Sequence, residues 1–210
     1  MTNFKESIQL VVRSLRRFLS LSLILASMIL MVRFYELVIV SNFSNYPSGS
    51  FSIMLKGLKY DMVLYLQISA ALLVPFLFIA YFSQKIARYF FTLVSILLIL
   101  GDILLVKYFS TARIPLGADL LGYSISEIRH TLNTSGEISI LPFVVIFLYL
   151  FMMSRVMVNH VYFKLKPWLM AVLTVLMFCS FLPIKQLNPD PSKFDDEFSL
   201  FAANNKISFF

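Results

Sequence analysis

Residues 18–41 read FLSLSLILASMILMVRFYELVIVS, and this stretch decides the fold of the chain. It is long and apolar enough to cross a bilayer as an α-helix, which takes about 20 apolar residues. It nevertheless carries Arg33 and Glu36, which lie on one face of the helix. A charge at that depth costs about 3 kcal/mol or more against lipid. We therefore expect Arg33 to face protein or a water-filled cavity, and other segments to supply its partners.

The composition of the whole chain is that of an integral membrane protein. Its 210 residues have a mean hydropathy of +0.82, and 59% are hydrophobic while only 14% are charged. Soluble domains have about 45–50% apolar and about 25% charged residues. The net charge of +7 comes from basic residues at the ends of apolar segments, which positive-inside topology explains better than nucleic-acid binding. Cys179 is the only cysteine, so no disulfide framework is predicted.

Apolar segments along the chain predict an all-α membrane protein with five transmembrane helices. The predicted spans are residues 18–41, 62–83, 89–109, 140–158 and 167–183. Two amphipathic stretches predict short external interfacial helices, one over residues 51–58 and one from about 119 or 124 to 132. The basic residues 1–17 either lie on the anionic leaflet or only set the orientation. We expect a transmembrane domain over residues 1–183 and an external linker over 184–210.

Basic residues predict which side of the membrane each connection faces. The segments 1–17, 84–88 and 155–166 are dense in Lys and Arg and contain one acid, Glu6. The remaining connections balance their basic residues with acids. The positive-inside rule therefore predicts a cytoplasmic N-terminus and an external C-terminus.

Four ionisable residues are predicted to lie at one depth in the outer half of the membrane. At 1.5 Å per residue, Arg33 lies about 22 Å into its span from Phe18, and Asp102 lies about 20 Å into its span. Asp61 begins the second span at the same side, and Glu36 is one turn from Arg33. The predicted buried cluster is Arg33, Glu36, Asp61 and Asp102. Three roles stay open: a structural pin, a cleft for a lipid headgroup, or a proton or ion path.

The sequence holds no catalytic constellation of its own. It has no phosphate-binding glycine loop and no zinc motif. His130 and His160 lie on opposite predicted sides of the membrane, so they cannot share a metal ion. No catalytic residue, metal site or cofactor is predicted within these residues.

Several short motifs resemble the N-terminal membrane domain of the lipoteichoic acid synthase family, within the alkaline phosphatase/sulfatase superfamily. The segment Gly57–Asp61, GLKYD, is similar to the family's Gly-x-(Arg/Lys)-(Phe/Tyr)-Asp signature. Arg33 late in the first span, the loop Pro115–Tyr123 and the segment Ala203–Lys206 are also similar to such sequences. Phosphoethanolamine transferases share the five-span layout and are the nearest alternative.

The resemblance implies a membrane anchor in a bacterial cytoplasmic membrane. For the complete enzyme it implies an extracellular catalytic domain with a threonine nucleophile and a divalent metal, which transfers phosphoglycerol or cleaves a phosphate or sulfate ester. These residues would then be either a fragment of that enzyme or a membrane module that functions without the catalytic domain. The implied partners are the bilayer, an anionic phospholipid and that domain. The cations best placed for a lipid headgroup are Arg33, Lys56, Lys59 and Arg113. The alternatives are a small transporter or channel subunit that uses the level of Arg33 and Asp102, or a non-catalytic assembly protein.

Overall fold

The computed structural model describes residues 2–41, 50–112, 140–159 and 163–181, and their regular secondary structure is entirely helical. The all-α prediction is therefore confirmed for this part of the chain. The helices in it are α1 (Thr2–Ser41), α2 (Ser50–Phe82), α3 (Gln84–Ala112), α4 (Ile140–Val158) and α5 (Pro167–Cys179).

Three of these helices are long and apolar enough to cross a membrane. Their qualifying stretches are Ile8–Val38, Gly57–Phe82 and Gln84–Lys107. The apolar stretches Val144–Val158 and Pro167–Cys179 are shorter. At 1.5 Å per residue, the 13 residues of α5 extend about 20 Å, which is less than the hydrocarbon core of about 30 Å. The total of five spans therefore stays a prediction.

The first three helices extend beyond the predicted spans. Residues 2–17 continue α1 without a break, since this stretch contains neither glycine nor proline. The interfacial helix predicted over residues 51–58 is the beginning of α2, because Gly57 alone costs only about 1 kcal/mol and does not end a helix. The connection predicted over 84–88 is helical, and Ser83 alone separates α2 from α3. The interfacial helix predicted up to residue 132 and the linker 184–210 lie outside the described residues.

The described residues belong to two compact units, each built from parts of several helices. Unit 1 comprises Met1–Met28, Tyr65–Leu97 and Tyr149–Lys185. Three fully buried rings, Phe18, Phe76 and Phe91, form its centre in edge-to-face contacts with centroids 5.2, 5.4 and 6.1 Å apart. Each such pair contributes about 0.5–1.5 kcal/mol beyond the burial of area. This aromatic centre joins α1, α2 and α3 within unit 1.

Hydrogen bonds from tyrosine and glutamine side chains to serine residues also join the helices of unit 1. The Tyr65 hydroxyl donates to Ser22 Oγ at 3.2 Å, and the Tyr149 hydroxyl donates to Ser27 Oγ at 3.2 Å. Gln67 Nε2 donates to the carbonyl oxygen of Ser180, at the C-cap of α5, at 3.1 Å. Hydrogen bonds of this kind stabilise packing between membrane helices by about 0.6 kcal/mol on average.

Unit 2 comprises Ile29–Leu64, Leu98–Leu148 and Gln186–Phe210, and it contains all four residues of the predicted polar cluster. Apolar side chains buried around the cluster come from α1 and α3, and include Val32, Tyr35, Ile99, Ile103 and Val106. The four ionisable groups of the cluster are therefore largely removed from water, and their contacts with each other decide their energy.

Candidate functional site

A bidentate ion pair between Arg33 on α1 and Asp61 on α2 is the centre of the candidate site. Arg33 Nε donates to Asp61 Oδ2 at 2.6 Å, and Arg33 Nη2 donates to Asp61 Oδ1 at 2.7 Å. The two side chains are 10% and 5% exposed. Two parallel charge-assisted hydrogen bonds fix both the distance and the relative orientation of the two groups. This pair therefore locks α1 to α2 within unit 2.

Glu36 accepts a hydrogen bond from the third nitrogen of the same guanidinium. Arg33 Nη1 donates to Glu36 Oε2 at 2.9 Å, and the Glu36 side chain is only 3% exposed. The two residues lie three apart on α1, where helix geometry places side chains side by side. Each of the three guanidinium nitrogens of Arg33 thus donates to a carboxylate oxygen.

Asp102 adds a third acid near the arginine. It is 7% exposed on α3, and its charge attracts the Arg33 guanidinium. It follows Gly101, where an added Cβ would meet nothing within 4 Å, so close packing is not the reason for that glycine. Within the described residues, the cluster thus brings three acids to one arginine.

Because the cluster is buried, its free energy depends on how well its charges are paired. Taking charges out of water costs several kcal/mol per ion, and a buried pair roughly repays that cost only with good geometry. Breaking such a pair by removing one partner costs about 3–5 kcal/mol, because the remaining charge is buried and uncompensated. Arg33 and Asp61 have the good geometry that offsets the cost of burial, because both carboxylate oxygens of Asp61 accept hydrogen bonds.

The cations proposed for a lipid headgroup have different environments. Arg33 is buried and donates to carboxylates, whereas Lys59 is exposed, with its Nζ 6.0 Å from the centroid of the Tyr60 ring. Lys56 lies on α2, but its side chain is outside the described part of the chain, and Arg113 lies outside it altogether. Among the described side chains, Lys59 is therefore the accessible cation of the four.

The structure also shows which chemistry the described residues do not assemble. In residues 2–41, 50–112, 140–159 and 163–181, no group of three His, Cys, Asp or Glu side chains has the arrangement of a metal site. His130 and His160 lie outside these ranges. Glu36, Asp61 and Asp102 surround an arginine rather than a vacant centre.

A second polar site, at the junction of α2 and α3 in unit 1, was missed by sequence reasoning. Gln84 Oε1 accepts a hydrogen bond from Arg17 Nη1 at 2.8 Å, and Gln84 Nε2 donates to Ser14 Oγ. Arg88, only 7% exposed, donates from Nη1 to the carbonyl oxygen of Val158 at 2.9 Å. A signal for this site exists in the sequence, because Gln84 and Arg88 are polar residues at the start of α3, next to the turn of a helical hairpin. Their charge alone predicts only a basic connection.

No family model, curated protein or solved structure matches this chain. The class that the fold defines is a helical protein, and three helices in its described part are long and apolar enough to cross a membrane. The resemblance to lipoteichoic acid synthases rests on the short motifs of the sequence.

Proposed function

We propose that this chain is the membrane anchor of a cell-envelope enzyme of the phosphoglycerol transferase or sulfatase-like kind, and that Arg33 is its structural pin. The observation that carries the proposal is the occupation of the Arg33 guanidinium by Asp61 and Glu36. An arginine that bound a lipid phosphate would need donors directed at that phosphate. Here the donors are directed at carboxylates of the same unit, which suits a rigid anchor.

Two features that carry the resemblance to lipoteichoic acid synthases are in contact with each other. Arg33 is the arginine late in the first span, and Asp61 ends the GLKYD motif. Their bidentate contact gives the acid of the motif a physical reason, since Asp61 pairs with the arginine of the first span. This supports the proposal that the motif belongs to the anchor's architecture rather than to catalysis.

Contact with a lipid headgroup is proposed for the exposed cations instead of Arg33. Lys59 precedes Asp61 by two residues and is exposed. Residues two apart on a helix point to different faces, so Lys59 lies at the level of Asp61 but on an exposed face of α2, where an anionic phospholipid in the outer leaflet offers a charge partner. Lys56 and Arg113 remain predicted members of this contact.

Fusion reporters test the anchor proposal. A periplasmic alkaline phosphatase joined after Phe210 should be active in a bacterial host, and a green fluorescent protein joined at the same place should stay dark. The matched control joins the same reporters before Met1, where the positive-inside prediction gives the reverse pattern. A fluorescent C-terminal fusion, or release of the chain from membranes by alkaline carbonate, would contradict the proposal.

The burial of Asp102 near this ion pair favours one other function, a proton or cation path in a transporter subunit. Asp102 is buried beside an arginine that Asp61 and Glu36 already engage. Buried acids in membrane helices often belong to such paths. Liposomes that hold the purified chain and a pH-sensitive dye distinguish the two functions. An anchor leaves the proton leak at the level of empty liposomes. A proton path raises the leak, and Asp102→Asn removes that increase.

A further inference from the structure

Basic residues dominate the charge of unit 1. Glu6 is the only Asp or Glu in the three sequence stretches of this unit. The exposed cations among its described residues are Arg13, Arg16, Lys85, Arg155, Lys164 and Lys166. An exposed surface of one sign of charge attracts partners of the opposite sign.

Hydrogen bonds gather these cations at one end of unit 1. The contact of Arg17 with Gln84 brings the basic part of α1 to the start of α3, where Lys85 follows. Ser20 Oγ donates to the Arg16 carbonyl at 2.8 Å and accepts from the Phe163 backbone N–H at 3.2 Å. The segment that contains Lys164 is thereby held against α1.

Arg88 brings α4 to the same end of the unit. Its Nη1 donates to the carbonyl oxygen of Val158, the last residue of α4, and its Nε donates to the Gln84 carbonyl at 3.3 Å. Arg155 lies in the last turn of α4 and is exposed. Buried Arg88 therefore acts as a brace, whereas the exposed cations around it are available to a partner.

Exposed apolar side chains alternate with the cations at this end. Phe163, Lys164, Lys166 and Trp168 follow each other closely, and Phe163 and Trp168 are 42% and 63% exposed. Trp is enriched where a bilayer meets water, because its ring is apolar at one end and polar at the other. A partner that satisfies both kinds of side chain must offer negative charge directly beside an apolar phase.

We propose that the cationic end of unit 1 binds the headgroups of anionic phospholipids, with Lys164 and Lys166 in contact beside Trp168. A phospholipid offers phosphate next to acyl chains, which matches cations interleaved with exposed aromatic rings. A soluble acidic protein offers the charge without the apolar phase. Basic pockets at the ends of membrane helices bind anionic headgroups in this way. The inference does not depend on any catalytic domain beyond the chain.

Trp168, the only tryptophan of the chain, is a built-in probe for this proposal. The full chain is reconstituted in phosphatidylcholine bilayers, and its fluorescence is quenched with phosphatidylglycerol or phosphatidylcholine brominated near the headgroup. One cation near an anionic surface changes affinity by about fivefold. We expect a preference of about fivefold or more for brominated phosphatidylglycerol. About 1 M salt, where the Debye length is about 3 Å, should reduce that preference strongly.

Variants assign the preference to particular cations. Lys164→Gln/Lys166→Gln should bring the two lipids close to parity, while Lys164→Arg/Lys166→Arg, which keeps both positive charges, should keep the wild-type preference. Unchanged quenching in plain phosphatidylcholine and an unchanged helical circular dichroism spectrum show that the double variant is folded. If it does not fold, the two single variants and the salt series on the wild-type chain decide.

Three results would overturn the proposal. Equal quenching by both lipids in the wild-type chain removes the lipid partner. A preference that survives in Lys164→Gln/Lys166→Gln places the lipid elsewhere. Equal quenching by the two lipids combined with a shift of Trp168 emission on adding polyglutamate assigns the surface to an acidic protein instead.

Discussion

Neutralising Asp61 should strongly destabilise unit 2, and the structure allows the size of the effect to be worked out. Asp61 accepts two charge-assisted hydrogen bonds from Arg33, at 2.6 and 2.7 Å. Hydrogen bonds to charged groups are worth about 1.5–3 kcal/mol each, and Asp61→Asn keeps an acceptor for only one of them. The variant also leaves Arg33 with less compensating charge at a site where it is 10% exposed. We therefore expect a loss of about 3–5 kcal/mol of unfolding free energy.

The other cluster residues should follow an order set by their contacts. Glu36 accepts one hydrogen bond from Arg33, so Glu36→Gln should cost less than Asp61→Asn. Asp102→Asn should also destabilise the unit by less than Asp61→Asn, because Asp102 shares the arginine with two acids that already engage its nitrogens. Arg33→Met should cost the most, since it leaves buried acids facing each other.

Unfolding of the purified chain in lipid bicelles by sodium dodecyl sulfate, followed by far-UV circular dichroism, measures these differences. Lys59→Gln on α2 is the matched control, and its exposed side chain predicts a change within about 0.5 kcal/mol. Wild-type stability in Asp61→Asn would refute the reasoning. A larger loss in Asp102→Asn than in Asp61→Asn would show that the arginine is held chiefly from α3.

Two further predictions concern unit 1. Phe76→Ala removes two edge-to-face contacts, with Phe18 and Phe91, and leaves a cavity at a fully buried position, so it should cost about 3–5 kcal/mol in the same unfolding assay. Phe78→Ala, at a ring that is 68% exposed, should cost clearly less, and equal losses would contradict the aromatic centre. Arg88→Gln should speed hydrogen exchange of the last turn of α4, because the Val158 carbonyl loses its donor. Arg155→Gln should leave this exchange unchanged, and identical exchange in the two variants would refute the role of Arg88 as a brace.

Sequence reasoning predicted the helical architecture of the described residues, whereas the depth of the charged residues in a membrane stays a prediction. A rise of 1.5 Å per residue puts Arg33 and Asp102 at similar depths once the spans are located. The same count cannot choose among Asp61, Glu36 and Asp102 as partners. That choice depends on how each helix is rotated about its axis and on the rotamers of the side chains, which depth does not encode.

Helix ends were the weaker part of the sequence-based prediction for a related reason. The apolar run of α1 begins near Phe18, but the helix begins earlier, at Thr2. The residues between them contain no glycine or proline that would break the helix. The segment of α2 before Asp61 was separated from its span because its apolar run also begins later than the helix. Apolar runs mark what a bilayer can accept, whereas helix ends depend on caps and breakers. Gln84 and Arg88 were similarly interpreted by charge, although their contacts hold α1 and α4.

A double-mutant cycle between Arg33 and Asp61 tests the central claim, that these two residues are each other's principal partners, most directly. The unfolding free energies of the wild-type chain, Arg33→Gln, Asp61→Asn and Arg33→Gln/Asp61→Asn in bicelles give the coupling energy free of other contributions of each residue. Two charge-assisted hydrogen bonds predict a coupling of about 2–3 kcal/mol. A coupling below about 0.5 kcal/mol, as independent sites give, would contradict the claim.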